Sequence, residues 1–137
     1  MRAVLACLVG FGSTAAIADD ASYTQACTFA VECVEQDACA PSAYSVELTY
    51  SFTVLEGTTD DGAGTGSARD DAQDRRVIVT HSNGAFVANA VDFTSQSTIA
   101  PEIYTVISSA EGDARLITAF PDVPMIITYH GTCQGQS

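Results

Sequence analysis

A chain of 137 residues with 47% apolar content is the size of one domain, long enough to bury a core and too hydrophobic for a disordered tract. Seventeen Asp and Glu stand against five Arg and no Lys, giving a formal net charge of −12 and an isoelectric point near 4.1. Such a surface repels phosphate backbones and anionic bilayers, which argues against nucleic acid or membrane partners.

The N-terminus reads as a secretory signal peptide over residues 1–18. Arg2 is the positive start, Ala3 to Phe11 is uncharged and mostly apolar, and Ala16-Ile17-Ala18 sets small residues before a cut ahead of Asp19. The apolar run is far shorter than the about 20 residues a helix needs to span a bilayer. Removing the leader takes away Arg2 and Cys7. The mature chain becomes one unit more negative and keeps Cys27, Cys33, Cys39 and Cys133. An even cysteine set in an exported chain predicts two disulfides and places the protein in the periplasm or outside the cell.

Residues 19–137 are expected to form a single β domain. From Ala26 to Val34, Cys27, Phe29, Val31 and Cys33 alternate with Thr28, Ala30 and Glu32. From Tyr44 to Leu55, Tyr44, Val46, Leu48, Tyr50, Phe52 and Val54 share one face of a strand, because period two places alternate residues together. Residues 57–74 are rich in Gly and Asp and predict a flexible acidic loop, with Ser67 able to cap one helical turn. Arg76 to His81 and Ala85 to Val91 flank Asn83-Gly84, a hairpin signal that sets His81 opposite Phe86 and Val79 opposite Ala88. Ser95 to Ala100 is a candidate eighth strand. Glu102 to Ser109 and Ala114 to Phe120 form a second hairpin about Ala110–Asp113. After the Pro121–Pro124 turn, Met125 to Gly131 is the last strand, with Met125, Ile127 and Tyr129 on one face and Cys133 continuing it. Short strands with no helical period predict an all-β fold, a small antiparallel barrel or sandwich of about seven to eight strands stabilised by disulfides.

Four cysteines allow three pairings. Cys27 with Cys133 and Cys33 with Cys39 is the favoured one: it ties the first strand to the last and clips the turn at 34–38.

No constellation for catalysis stands out. His81 and Ser82 are neighbours and so point to opposite faces of a strand, and no Gly-x-Ser-x-Gly elbow is present. His81 and His130 are expected to be ordinary exposed or rim histidines. Asp60, Asp61, Asp70, Asp71 and Asp74 offer oxygen ligands for Ca²⁺, but their spacing matches no calcium loop, and a solvated loop is the expectation. Cysteines six apart fit neither zinc nor a Cys-x-x-Cys redox site. No metal, cofactor or catalytic residue is assigned. Tyr44, Tyr50, Phe52, Phe86 and Tyr129 are the ligand-binding candidates, lining an interior that is either packed or hollow enough for a small apolar ligand.

The segment Cys27-Thr-Phe-Ala-Val-Glu-Cys33-Val-Glu-Gln-Asp-Ala-Cys39 and the ending Ile127-Thr-Tyr-His-Gly-Thr-Cys133 resemble small exported cysteine-containing proteins of marine alphaproteobacteria. That resemblance implies a bacterial periplasmic or secreted protein and transfers no catalytic residue. A fainter similarity to periplasmic lysozyme-inhibitor barrels rests on small size, acidity and disulfide closure, with Ser108 to Arg115 loosely matching their Ser-Gly-containing loop. The functional expectation is a non-enzymatic binding protein with a basic protein partner. The alternatives are a carrier of a small apolar ligand and a hydrolase without a recognisable motif. The sequence leaves the oligomeric state open.

Overall fold

The computed structural model describes residues 20–91, 103–120 and 124–135. The leader expected at 1–18, the 95–100 strand candidate and most of the 121–124 turn lie outside the described residues. Eight strands follow in chain order: β1 (Asp20–Val34), β2 (Ala40–Val54), β3 (Gly62–Arg69), β4 (Asp74–Ser82), β5 (Ala85–Ala90), β6 (Ile103–Ser108), β7 (Asp113–Phe120) and β8 (Met125–Gly135). Each pairs antiparallel with its sequence neighbours, and β1 pairs with β8, so the sheet closes into a barrel with no free edge. The seven strands expected from the sequence are all present. The eighth is β3, inside the stretch expected to be a flexible loop and a helical turn.

Alternation explains the core. On β2 the inward residues Val46, Leu48, Tyr50 and Phe52 are buried while Ser45, Glu47, Thr49 and Ser51 face water. Val77, Val79 and His81 on β4, Ala88 on β5, Val106 on β6 and Leu116 on β7 complete the interior. The Asn83-Gly84 turn has φ of 48° and 78°, the left-handed pair that matches strand twist, and it sets Val79 opposite Ala88 and His81 opposite Phe86 as expected.

The face assignment of β1 changes partway along. A bulge lies between Phe29 and Val31 against both β2 and β8. The extra residue shifts the alternation by one, so Val31 is 37% exposed and pairs with His130. Val31 and Cys33 therefore do not share the inward face of Cys27 and Phe29.

β3 is hard to see in sequence because its inward positions are Gly62, Gly64, Gly66 and Ala68. At Gly64 an added Cβ would lie 1.9 Å from the Ser51 carbonyl oxygen, and at Gly66 2.2 Å from that of Thr49. Only glycine permits this approach of β3 to β2. Gly64→Ala is expected to cost about 2–3 kcal/mol by overpacking against immovable backbone. Ala63→Ser, on the exposed face, should shift the urea midpoint little, and equal shifts for the two variants would contradict the close approach.

The barrel has two distinct ends. One carries the start of β1, the finish of β8, the loop at 55–61, the Asn83-Gly84 turn and the turn at 109–112. The other carries the turn at 35–39, the loop at 70–73, the start of β6 and the β7–β8 connection.

Candidate functional site

The sulfur chemistry is structural. Cys27 is bonded to Cys133 and Cys33 to Cys39. The first joins directly opposed residues of β1 and β8, so the covalent link lies on the seam that closes the barrel. The second clips the turn between β1 and β2. Both fit an oxidising compartment.

Near the end that holds the start of β1, the loop at 55–61 folds against the interior through Asp60. The Tyr23 hydroxyl donates to Asp60 Oδ1 at 2.9 Å and the Gly84 N–H donates to Oδ2 at 2.9 Å. His81 Nδ1 lies 2.7 Å from the Asp60 carbonyl oxygen, which can only accept, so that nitrogen carries the proton. The carboxylate oxygen Oδ1 is 3.5 Å from the same nitrogen. His81 is 3% exposed, stacked on Tyr23 at 5.1 Å and on Phe52 at 4.8 Å. The expectation of a rim or exposed histidine is corrected here. His81 continues the inward row of Val77 and Val79, and Asp60 supplies the partner that makes a buried imidazole acceptable. The hydrogen bond to Asp60, then burial, raises the pKa of the Tyr23 hydroxyl. His130 lies on the outer side of β8 opposite Arg115, half-buried.

The opposite end is organised by Asp70. Its Oδ1 accepts the backbone N–H groups of Ala72 at 2.8 Å and Gln73 at 2.7 Å. Its Oδ2 accepts Arg75 Nη1 at 2.8 Å and the Tyr44 hydroxyl. The two charged side chains are 11% and 5% exposed, and the guanidinium also lies 4.4 Å over the Tyr104 ring. Burial pushes the Asp70 carboxyl upward, but Tyr44, Arg75 and the two N–H groups outweigh it and hold its pKa at about 2. Burial, then the bond to Asp70, pushes the Tyr44 phenol far above its ordinary value.

The acidic residues considered for Ca²⁺ are thereby separated. Asp60 and Asp61 sit before β3 and Asp70, Asp71 and Asp74 after it, and eight extended residues span roughly 26 Å. Asp61 accepts the Asn83 N–H, and Asp74 pairs with Arg69 at 2.9 Å. Among the described residues no group of three or more His, Cys, Asp or Glu is placed to hold a metal ion.

The five aromatic candidates divide into two clusters. Tyr50, Phe52 and Phe86 are 2–3% exposed and pack with Tyr23 and His81; Tyr50 lies 5.5 Å from Phe86 and 5.6 Å from Tyr23. Burial raises the Tyr50 hydroxyl to about 12. Tyr44 and Tyr129 stack at 5.1 Å toward the other end, each 6.3 Å from Phe29. Between the clusters, Leu48, Ala68, Val77, Val79, Ala88, Val106 and Leu116 are 0% exposed, leaving beside them no void that admits water. Tyr50, Phe52 and Phe86 thus occupy the interior, with Tyr44 and Tyr129 partly buried against it. Sequence reading did not single out Tyr23, Arg75 or Tyr104: Tyr23 meets Asp60 and Tyr104 meets Arg75 across long stretches of chain, while Asp70 and Arg75, five residues apart, lie in the stretch read as a loop and just after it.

No protein-family model matches this chain, and no curated protein matches it significantly. Among solved structures it is similar to the PknI sensor domain of M. tuberculosis in its monomer form, at 13% identity and a TM-score of 0.46, over 88% of this chain and 89% of that one.

Proposed function

We propose that the protein is an exported, non-enzymatic binding barrel that engages a basic protein through its acidic exterior, in the manner of an inhibitor. The observation that carries this reading is the contrast between a filled interior and a negative exterior. The zero exposure of the central side chains leaves a carrier little room for a ligand. Outside, Glu35, Asp37, Glu47, Glu56, Glu111 and Asp113 stand exposed, while Arg69 and Arg75 are tied to Asp74 and Asp70. A surface of one sign steers an oppositely charged partner into encounter and rejects acidic competitors. No helix among the described residues is long and apolar enough to cross a membrane.

Lysozyme, a basic envelope-active protein, is the probe. Its association with the mature protein, followed by interferometry, should weaken at least about tenfold between low and physiological salt, as screening of surface charge requires. Absence of binding to lysozyme and to other basic envelope proteins at low salt would end the proposal. Displacement of a fluorescent fatty acid from the barrel would favour the carrier alternative.

A further inference from the structure

At the end of the barrel away from the start of β1, a groove of about 740 Å³ opens where β6 begins, β7 finishes and β8 begins. It falls within the about 300–1,000 Å³ typical of ligand pockets. Its apolar floor includes Ile103, Phe120, Met125 and Ile126, and Glu35 and Asp37 form an acidic lip. Ile103 and Ile126 are 55% and 52% exposed, so two aliphatic side chains on β6 and β8, either side of Ala119, face water on the same face of the sheet. Among the described residues that line the groove there is no arginine or histidine.

The lip is held in place. The Glu35 N–H donates to the Ile126 carbonyl at 2.9 Å and the Asp37 N–H to that of Val34 at 2.9 Å. The Cys33–Cys39 disulfide closes the same turn covalently. Glu35 has a φ of +49°, a left-handed conformation in which glycine would be at ease and a glutamate is strained. Strain of this kind collects at binding and catalytic sites. A turn fixed by a disulfide and two backbone hydrogen bonds meets its ligand already ordered, which lowers the entropy lost on binding.

We propose that this groove is the docking site for a cationic amphipathic segment of a partner protein, its apolar side chains on the floor and its Lys or Arg on Glu35 and Asp37. The proposal rests on the basic-partner reading and adds where the partner sits and that part of its contact is apolar. Charge selects the occupant: two carboxylates with no cation among the described lining residues, on a chain of net charge −12, repel an acidic segment and leave a neutral one without partners for the lip. Surface charge alone accelerates encounter, whereas a buried apolar anchor slows release.

The test uses the mature protein and short fluorescent peptides, one of leucine and lysine, one of serine and lysine, and one of leucine and glutamate. The leucine–lysine peptide is expected to bind about tenfold more tightly than either other. Glu35→Gln with Asp37→Asn, and separately Ile103→Thr with Ile126→Thr, should each weaken it about tenfold, with the thermal midpoint little changed because all four residues are exposed. Cys33→Ser with Cys39→Ser, which keeps the Cys27–Cys133 bond, should weaken it several-fold. Failure of the leucine–lysine peptide to bind, or equal binding of the leucine–glutamate peptide, overturns the groove as a cationic site whatever lysozyme does. Equal binding of the leucine–lysine peptide by wild type and groove variants also overturns it, while salt-sensitive lysozyme binding would leave the broader reading in place.

Discussion

Replacing Cys27 and Cys133 together by alanine should cost about 4–5 kcal/mol, against about 2 kcal/mol for the same replacement at Cys33 and Cys39. The two bonds differ in the loop each closes, 106 residues of separation in one and 6 in the other. In the chain-entropy account the longer loop removes more freedom from the unfolded chain. The structure adds a second reason for the difference. The long bond sits where β1 meets β8, so without it the barrel's closing seam depends on strand pairing alone. A loss of this size is comparable with the whole stability of a small domain, about 5–15 kcal/mol. Urea unfolding of the two double variants, each retaining the other bond, measures the comparison directly. Equal losses would show that the seam is held by its hydrogen bonds and packing, with no special contribution from the cross-link.

The second large effect is expected at Arg75 and Asp70. Arg75→Met leaves a carboxylate that is 5% exposed without its cation. Breaking one half of a buried pair typically costs about 3–5 kcal/mol, because the remaining charge is stranded. Arg75→Met combined with Asp70→Leu should recover a large part of that loss, since both charges then leave the low-dielectric site. The sign of the pH dependence follows from Asp70 itself. Its folded pKa of about 2 lies below the unfolded value of 3.8, so its contribution is complete above about pH 4 and is lost as pH falls through 2. The amount is roughly 2 kcal/mol. Urea unfolding free energies between pH 5 and 2 should therefore fall less steeply for Asp70→Asn than for wild type. Parallel slopes would mean that other carboxylates govern acid unfolding.

Where side chains alternate in size and polarity, the architecture was readable in the amino-acid order. Tyr44 to Val54 and the Asn83-Gly84 turn each specified their own geometry, because a two-residue period and a left-handed turn leave few alternatives. The closing disulfide was also within reach, since Cys27 and Cys133 lie on apolar faces near opposite ends of residues 19–137. β3 escaped because glycine at 62, 64 and 66 carries neither hydrophobic period nor strand preference. The available signal was the regular interleaving of Gly62, Gly64 and Gly66 with Ala63, Thr65 and Ser67 beside a strong strand. The bulge after Phe29 left no trace in composition, so the outward turn of Val31 could not be read. His81 lies in the row of Val77 and Val79, which the alternation reveals; its partner Asp60 lies 21 residues upstream, brought beside it by the pairing of Gly62 with His81 in β3 and β4, a strand the sequence hid. Of the aromatic candidates, Tyr50, Phe52 and Phe86 are buried in the core, and Tyr44 and Tyr129 are partly buried against it. Whether they surround a ligand or each other depends on the strand number and tilt of the closed barrel, which no one-dimensional pattern carries.

The first residue of β1 and the last of β8 emerge from the same end of the barrel, and the acidic-lipped groove lies at the other. A tether joined directly ahead of β1 or after β8, whether a fusion partner, an affinity tag or an immobilised surface, would therefore present the groove outward to solution. The same polarity means that two copies joined tail to tail through a short linker would point their grooves away from each other and reach two sites on separate molecules more readily than two neighbouring sites on one.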